Sequence, residues 1–334
     1  MKLGKRTKLA LFAVFAVVYL GGLRVCDMYS LAKMPLPARA APNSAAAKRL
    51  AADVKALAGD IGPRNYAHPA GLAKAEAYMK KALGKDALEY PYAVRPPGMA
   101  TDVTMRNFVV PLPASWPRRP VLVIGAHYDT ALDTPGADDN ASGCAILLEL
   151  VRRFSRKKPL DVELRFVAYG TEEPPFFGTK QMGSVYHARM MTAEGRNVMG
   201  MISLEMLGYY NDAPDSQKYP PLLSLFYPDR ANFVAAVSDL SSSGFLRVFA
   251  SAFNPPGVPM IAASLPGWIT EIGLSDHKSY WDEDFPALIL TDTSFLRYTH
   301  YHMTTDTPEK LDYERMAAIV DGLEAAITSL AKKK

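Results

Sequence analysis

Two adjacent segments, GAHYDT (Gly125–Thr130) and PGADDNASG (Pro135–Gly143), set one of only six histidines, His127, near Asp129, Asp133, Asp138 and Asp139. Carboxylates this crowded repel one another, and withdrawing them from water is costly without a counter-charge. The stretch is therefore either a solvated loop or the surround of a cation. Three more polar groups bear on that choice: the Glu172–Glu173 pair in TEEPPFF, Glu205 closing GMISLE, and His302 in YTHYHMTTDT. Imidazoles and carboxylates are ligands that suit zinc, and one carboxylate can bridge two zinc ions about 3.5–4 Å apart. The DD pair, on a turn between Gly136 and Gly143, offers such a bridge. The EE pair offers one ligand and one free carboxylate able to act as a general base. Asp129, two residues beyond His127, is placed to hold the imidazole tautomer.

Whether these groups meet depends on the elements that carry them. PVLVIGAHYD (Pro120–Asp129) is a short apolar run of the kind buried on both faces of a sheet. Helix CAILLELVRRF (Cys144–Phe154), strand DVELRFVAYG (Asp161–Gly170), helix GTKQMGSVYHARMM (Gly178–Met191) and strand VMGMISLEML (Val198–Leu207) follow. RANFVAAVSDL (Arg230–Leu240) reads as a helix, FPALILTD (Phe285–Asp292) as a strand, and Pro308–Leu330 as a closing helix. Upstream come helical patterns at Lys48–Ile61 and Gly71–Gly84, then a strand pair at Leu88–Val94 and Val103–Leu112. Strands alternating with helices indicate an α/β layered fold with a mainly parallel sheet, in which ligands sit outside the carboxyl ends of the strands. Each candidate group falls where a buried strand runs out. A lone HYD or EE is ordinarily a solvated loop; four strand ends converging on one edge are harder to dismiss.

The chain is 49% hydrophobic and 22% charged, in the globular range. Its net charge of +4 is matched by Lys2, Lys5, Arg6 and Lys8, so the remainder is near neutral and no basic face argues for nucleic acid. Those cations precede LALFAVFAVVYLGGL (Leu9–Leu23), short for a membrane span and long for a signal-peptide core. The charge bias puts the body of the protein outside the cytoplasm. We expect residues 1–25 to be a signal anchor or signal peptide and residues 26–47 a Pro- and Ala-rich tether. Two cysteines, Cys26 and Cys144, make no disulfide framework, and Cys144 reads as a packing residue.

In order along the chain, AHYD, PGADDNASG, TEEPPFFGT, MGS, ISLEMLGY, SDH and YHMTTDT resemble the di-zinc (co-catalytic) aminopeptidase family. That family includes the secreted bacterial leucyl aminopeptidases, with glutaminyl cyclase and the transferrin-receptor ectodomain as more distant relatives. The resemblance runs from about Lys48 to Leu330, so residues 48–334 are expected to form the zinc peptidase domain. It implies a three-layer α/β/α fold with a mixed, mainly parallel central sheet. It also implies two zinc ions per chain: His127, Asp139 and Glu205 around one, Asp139, Glu173 and His302 around the other, with Asp139 bridging. Glu172 would be the general base, Tyr301 a stabiliser of the oxyanion, and Asp139–Asn140 a cis peptide. Glu205 departs from the family pattern, where aspartate is usual, and this bears on metal spacing.

Asp276 and His277, in LSDHKSYW, match a motif near the family's pocket, as second-sphere or surface-loop residues. Asp138, His68, His187 and His300 have no ligand role, and Arg64 reads as a residue connecting helices. Phe176, Phe177 and the segment Tyr209–Asp284 read as pocket wall or as plain core. The function implied is a zinc exopeptidase of aminopeptidase type, acting on peptides with a free N-terminus in the cell envelope or periplasm, with a membrane contact through the N-terminal segment. Its alternatives are a carboxypeptidase or dipeptidase of the same family and, ranked lower, a single-zinc glutaminyl-cyclase-like acyltransferase.

Overall fold

The computed structural model describes residues 43–332 apart from 118, 220–223 and 225–226. The expected signal segment at 1–25 and nearly all of the tether lie outside the described residues. Among the described residues, no helix is long and apolar enough to cross a membrane. The Ser44 hydroxyl accepts the Ala47 N–H and caps helix α1 (Ala45–Val54). The expected tether therefore gives way to helix a few residues before Ala47, because three alanines behind a serine cap are strong helix formers.

Helix α2 (Pro69–Leu83) leads into the antiparallel pair β1 (Leu88–Val94) and β2 (Val103–Leu112). Strand β3 (Val121–His127), helix α3 (Gly143–Phe154), strand β4 (Glu163–Tyr169), helix α4 (Gly183–Ala193) and strand β5 (Val198–Glu205) then alternate. They are followed by β6 (Val234–Asp239), α5 (Ser243–Ala252), β7 (Met260–Leu265), α6 (His277–Trp281), β8 (Ala287–Thr291) and α7 (Tyr313–Leu330). All eight strands form one sheet in the order β1-β2-β4-β3-β5-β8-β6-β7. Neighbours are parallel from β4 through β3 and β5 to β8, and again between β6 and β7. The remaining contacts are antiparallel. The sheet is mixed and mainly parallel.

Side-chain alternation along β3 divides the interior into two layers of packing. Leu122, Ile124 and Ala126 join the core beneath α1, α3, α5 and α7, whereas Val121 and Val123 join the smaller core with Ala188 and Met191 of α4 and Tyr280 of α6. Helices cover both faces, and every residue of β3 is buried.

One element contradicts the sequence pattern. Residues 230–240, expected to be helical, contain strand β6, hydrogen-bonded to β8 on one side and β7 on the other. Alanines favour helix locally, but two strand pairings override that weak preference. Strand β7 and helix α5 also arise in the segment read as pocket wall or plain core. The helix expected from Gly178 begins at Gly183, and the closing helix begins at Tyr313, where Asp312 caps the Arg315 N–H.

Candidate metal centre

The parallel strands deliver their terminal side chains to one edge. His127 ends β3 and Glu205 ends its paired neighbour β5. Glu172 and Glu173 lie just beyond β4, Asp139 arrives on the turn Ala137–Ser142 that enters α3, and His302 sits on turns after β8. His127 Nε2 lies 3.3 Å from Glu205 Oε2 and 3.4 Å from Asp139 Oδ1. Asp139 Oδ2 lies 3.1 Å from His302 Nε2, which is also 3.1 Å from Glu173 Oε2. Asp139 thus presents one oxygen to each of two His–carboxylate pairs. Ligand atoms of a tetrahedral site with bonds of about 2.1 Å stand roughly 3.4 Å apart, which is the spacing seen. The longer arm of Glu205, relative to aspartate, keeps that spacing. Glu172 Oε2 is 3.9 Å from His127 Nε2 and faces the same space. The Asp139–Asn140 peptide is cis.

The donor set fits divalent metal. Asp129, Asp139, Glu172, Glu173 and Glu205 are all buried against two imidazoles, His127 and His302. Even with both rings protonated the cluster is net negative, an imbalance that cations relieve. Glu173 Oε1 is buried without a hydrogen-bond partner, a costly state for a carboxylate oxygen unless something else meets it. Mixed imidazole and carboxylate donors suit zinc.

Burial also sets the titration of these groups. It pushes the Glu172 carboxyl well above the usual range, with His127 opposing. Burial and the neighbouring Asp139 push Glu173 up to about 8. Asp139 is pushed up by burial too, but its bonds to His127 and His302 outweigh this and hold it below its ordinary value. Burial lowers His302, yet Asp139 and Glu173 carry it up to about 10. A buried carboxyl shifted toward neutrality, as Glu172 is, suits a group that both accepts and returns a proton.

The supporting shell is where sequence reasoning missed most. Asp129 stands 3.4 Å from His127 Nδ1, too poorly aligned for a hydrogen bond, so that contact is electrostatic. Its carboxylate instead accepts the backbone N–H groups of Glu172 (3.0 and 3.1 Å) and Glu173 (3.1 Å), which holds the EE turn. The Ser275 hydroxyl donates to Glu205 Oε2 at 2.7 Å. Arg64, fully buried, does more than connect helices: it donates to the carbonyls of Tyr128 (2.6 Å), Pro135 (2.5 Å) and Gly136 (2.8 Å), tying the end of β3 to the Asp139 turn. Gly136 has φ +63°, and a Cβ there would lie 2.4 Å from the Asp139 carbonyl oxygen, so only glycine fits. The buried Cys144 thiol donates to the His127 carbonyl at 3.1 Å and is pushed up to about 12 by burial.

The Tyr301 ring stacks on His302 with centroids 3.8 Å apart. Burial, then Asp139 and Glu173, push its hydroxyl well above its ordinary value, so it stays protonated beside the cluster. Asp276 is buried, with neither oxygen in a well-formed hydrogen bond, and burial raises it to about 7 against the pull of His127 and Ser184. His277 turns aside to the Ile272 carbonyl. His68 pairs with Asp133, His187 with the Tyr280 hydroxyl, and His300 with Thr305, so none joins the centre. Asp138 points away and accepts the Gly208 N–H. Phe176 is core, packed edge-on against Tyr66, whereas Phe177 lines a cavity of about 310 Å³ with Met182, Val185, Ser275 and Ser279. None of the candidate ligands lines that cavity; among its lining residues, Ser275 bonds Glu205 and the Phe177 N–H donates to the Glu173 carbonyl.

Fold and site define a class: a three-layer α/β protein with two groups of side chains placed to hold metal, sharing one aspartate, at the ends of parallel strands. Within that class the chain belongs to peptidase family M28, whose model matches residues 107–327, a span that includes every candidate ligand. It is 44% identical over 214 residues to Uncharacterized protein YfbL of Escherichia coli (strain K12), covering 61% of this chain and 65% of that protein. It is 35% identical over 238 residues to Aminopeptidase YwaD of Bacillus subtilis (strain 168), covering 70% of this chain and 46% of that protein. The matched part therefore spans less than two thirds of either relative. The solved structure of BSAP, a zinc aminopeptidase from Bacillus subtilis, superposes with a TM-score of 0.66 at 15% identity, covering 90% of this chain and 97% of that one. At that identity the likeness is one of fold.

Proposed function

We propose that this protein is a di-zinc aminopeptidase that hydrolyses the N-terminal peptide bond of peptides. The observation that carries the reading is Asp139, whose two oxygens face different histidines at 3.4 and 3.1 Å. His127, Asp139 and Glu205 would hold one zinc, and Asp139, Glu173 and His302 the other. Zinc held in this way lowers the pKa of water and polarises a carbonyl. Glu172 takes the proton of the attacking water and returns it to the leaving amine. Tyr301 donates its hydroxyl hydrogen to the carbonyl oxygen as charge builds there. Asp129 keeps the EE turn and the His127 ring in place. The substrate's α-amine meets the excess carboxylate charge of the cluster, which limits release to one residue at a time. The name of the YwaD relative supports the same activity.

The N-terminal cations and the apolar run Leu9–Leu23 support a site of action outside the cytoplasm, membrane-tethered or exported. A glutaminyl-cyclase-like reaction on a single zinc leaves one complete ligand set without a use. A carboxypeptidase or dipeptidase uses the same centre and is separated by substrate. The test is a peptide offered free and N-acetylated to the zinc-loaded protein. Only the free form should be cleaved, one N-terminal residue at a time. Equal rates on both, or release from the C-terminus alone, would favour the carboxypeptidase.

A further inference from the structure

We propose that Asp306 is the positioning residue that aims the bridging carboxylate of Asp139 and joins its turn to the turn carrying His302. The proposal rests on the metal-centre reading above. Asp306 lies four residues beyond His302 and is fully buried. Its Oδ1 accepts the Asp138 N–H at 2.9 Å, and its Oδ2 accepts the Asp139 N–H at 3.1 Å. Its own carbonyl accepts the Ala137 N–H at 3.3 Å. Three consecutive backbone donors thus end on one residue. On the other side of His302, the Tyr298 hydroxyl donates to Asp306 Oδ1 at 2.7 Å and orients the carboxylate.

The need for such a clamp follows from the backbone. His127 and Glu205 are strand residues, fixed by the ladders that pair His127 with Tyr169 of β4 and Glu205 with Thr291 of β8. Asp139 and His302 are not: Asp139 has φ −105° and ψ 90°, outside the helical region, and His302 has φ +56°. N–H groups at the start of a helical turn have no partner within it, and here a carboxylate from the His302 segment supplies one. The Asp306 side chain bonds backbone N–H groups and the Tyr298 hydroxyl, not the ligating side chains. It acts by holding the N–H of Asp139 itself, and a shift of that backbone swings both oxygens of the bridge.

The test uses the full chain, stripped of metal and titrated with zinc against a competing chelating dye. Asp306→Asn is nearly isosteric but replaces one acceptor oxygen with an amide that must face a backbone N–H. We expect its affinity for zinc at the shared site to fall by at least about tenfold, the scale of losing a group that orients a ligand, while the metal-free variant unfolds close to the wild-type temperature. Tyr298→Phe keeps the ring, removes only the orienting hydroxyl, and should weaken zinc in the same direction by less. Wild-type zinc affinity and stoichiometry in Asp306→Asn overturns the proposal. So does a metal-free Asp306→Asn that unfolds far below wild type while Tyr298→Phe binds zinc normally, since Asp306 is then merely structural. A wild-type chain that binds no zinc overturns the metal-centre reading instead.

Discussion

The two halves of the candidate centre are built on different foundations. In one, His127 and Glu205 end adjacent parallel strands, with side chains 1% and 9% exposed. In the other, Glu173 is 3% exposed but His302 stands on a turn with 31% of its side chain open to solvent. Sheet ladders fix the first pair to within the register of their hydrogen bonds; the second stands on turns, held by side-chain bonds such as that from the Glu173 N–H to Asp129. If each half holds a zinc ion as proposed, the sealed half should hold it more firmly and the open half should exchange it faster. Asp139 serves both, so both depend on the loop that carries it.

The largest effect should come from the shared residue. Asp139→Ala should lose zinc from both halves and reduce turnover by at least about 10³-fold, the scale of losing a Lewis acid worth several kcal/mol; elemental analysis showing both ions retained would break the comparison at its root. Substitutions confined to one half come next. His302→Ala should lose the more exchangeable zinc and keep the other, whereas His127→Ala should leave only weak, dialysable metal. Equal retention by the two variants would mean that the sealed and open halves do not differ in holding power.

The smallest effect separates acid release of metal from acid unfolding. His187 and His277 lie outside both ligand sets; burial lowers them from about 6.5 to about 3 and about 4, the bond to the Ile272 carbonyl partly offsetting this for His277. Both folded values lie below the unfolded one, so below pH ~6.5 the unfolded chain takes up protons that the folded chain refuses. Their stabilisation is complete above that pH and is lost as pH falls toward the folded values, by about 1.4 kcal/mol per pH unit for each histidine. His187→Gln should flatten the acid limb of thermal unfolding in metal-free protein and leave acid release of zinc unchanged. A variant that moved both together would tie the open half to the fold.

What could be foreseen follows the same division. Strands β3, β4, β5 and β8 are apolar runs that end abruptly in His127, in TEEPP, in Glu205 and in the segment leading to His302. Strands buried on both faces leave polar residues only at their ends, which made sheet and ligands legible together. Strand β6 was hidden because AAV is too short and too rich in alanine to show period two. Asp306 was hidden for another reason. A lone aspartate in MTTDT looks like a solvated turn, and its partners, 167 and 168 residues away, are backbone N–H groups that carry no side-chain signature. Arg64 and Ser275 act on carbonyls and on a distant glutamate, also invisible until the chain has folded. The role of Asp129 was half visible: proximity to His127 suggested one function, and the grip on the EE turn required the contact between β3 and β4.

The most direct measurement is anomalous diffraction at the zinc edge from crystals of the zinc-loaded protein. Two peaks are expected about 3.5–4 Å apart, one among His127, Asp139 and Glu205 and one among Asp139, Glu173 and His302, with the Asp139 carboxylate between them. A single peak, or a second peak away from His302, would contradict the shared-aspartate centre.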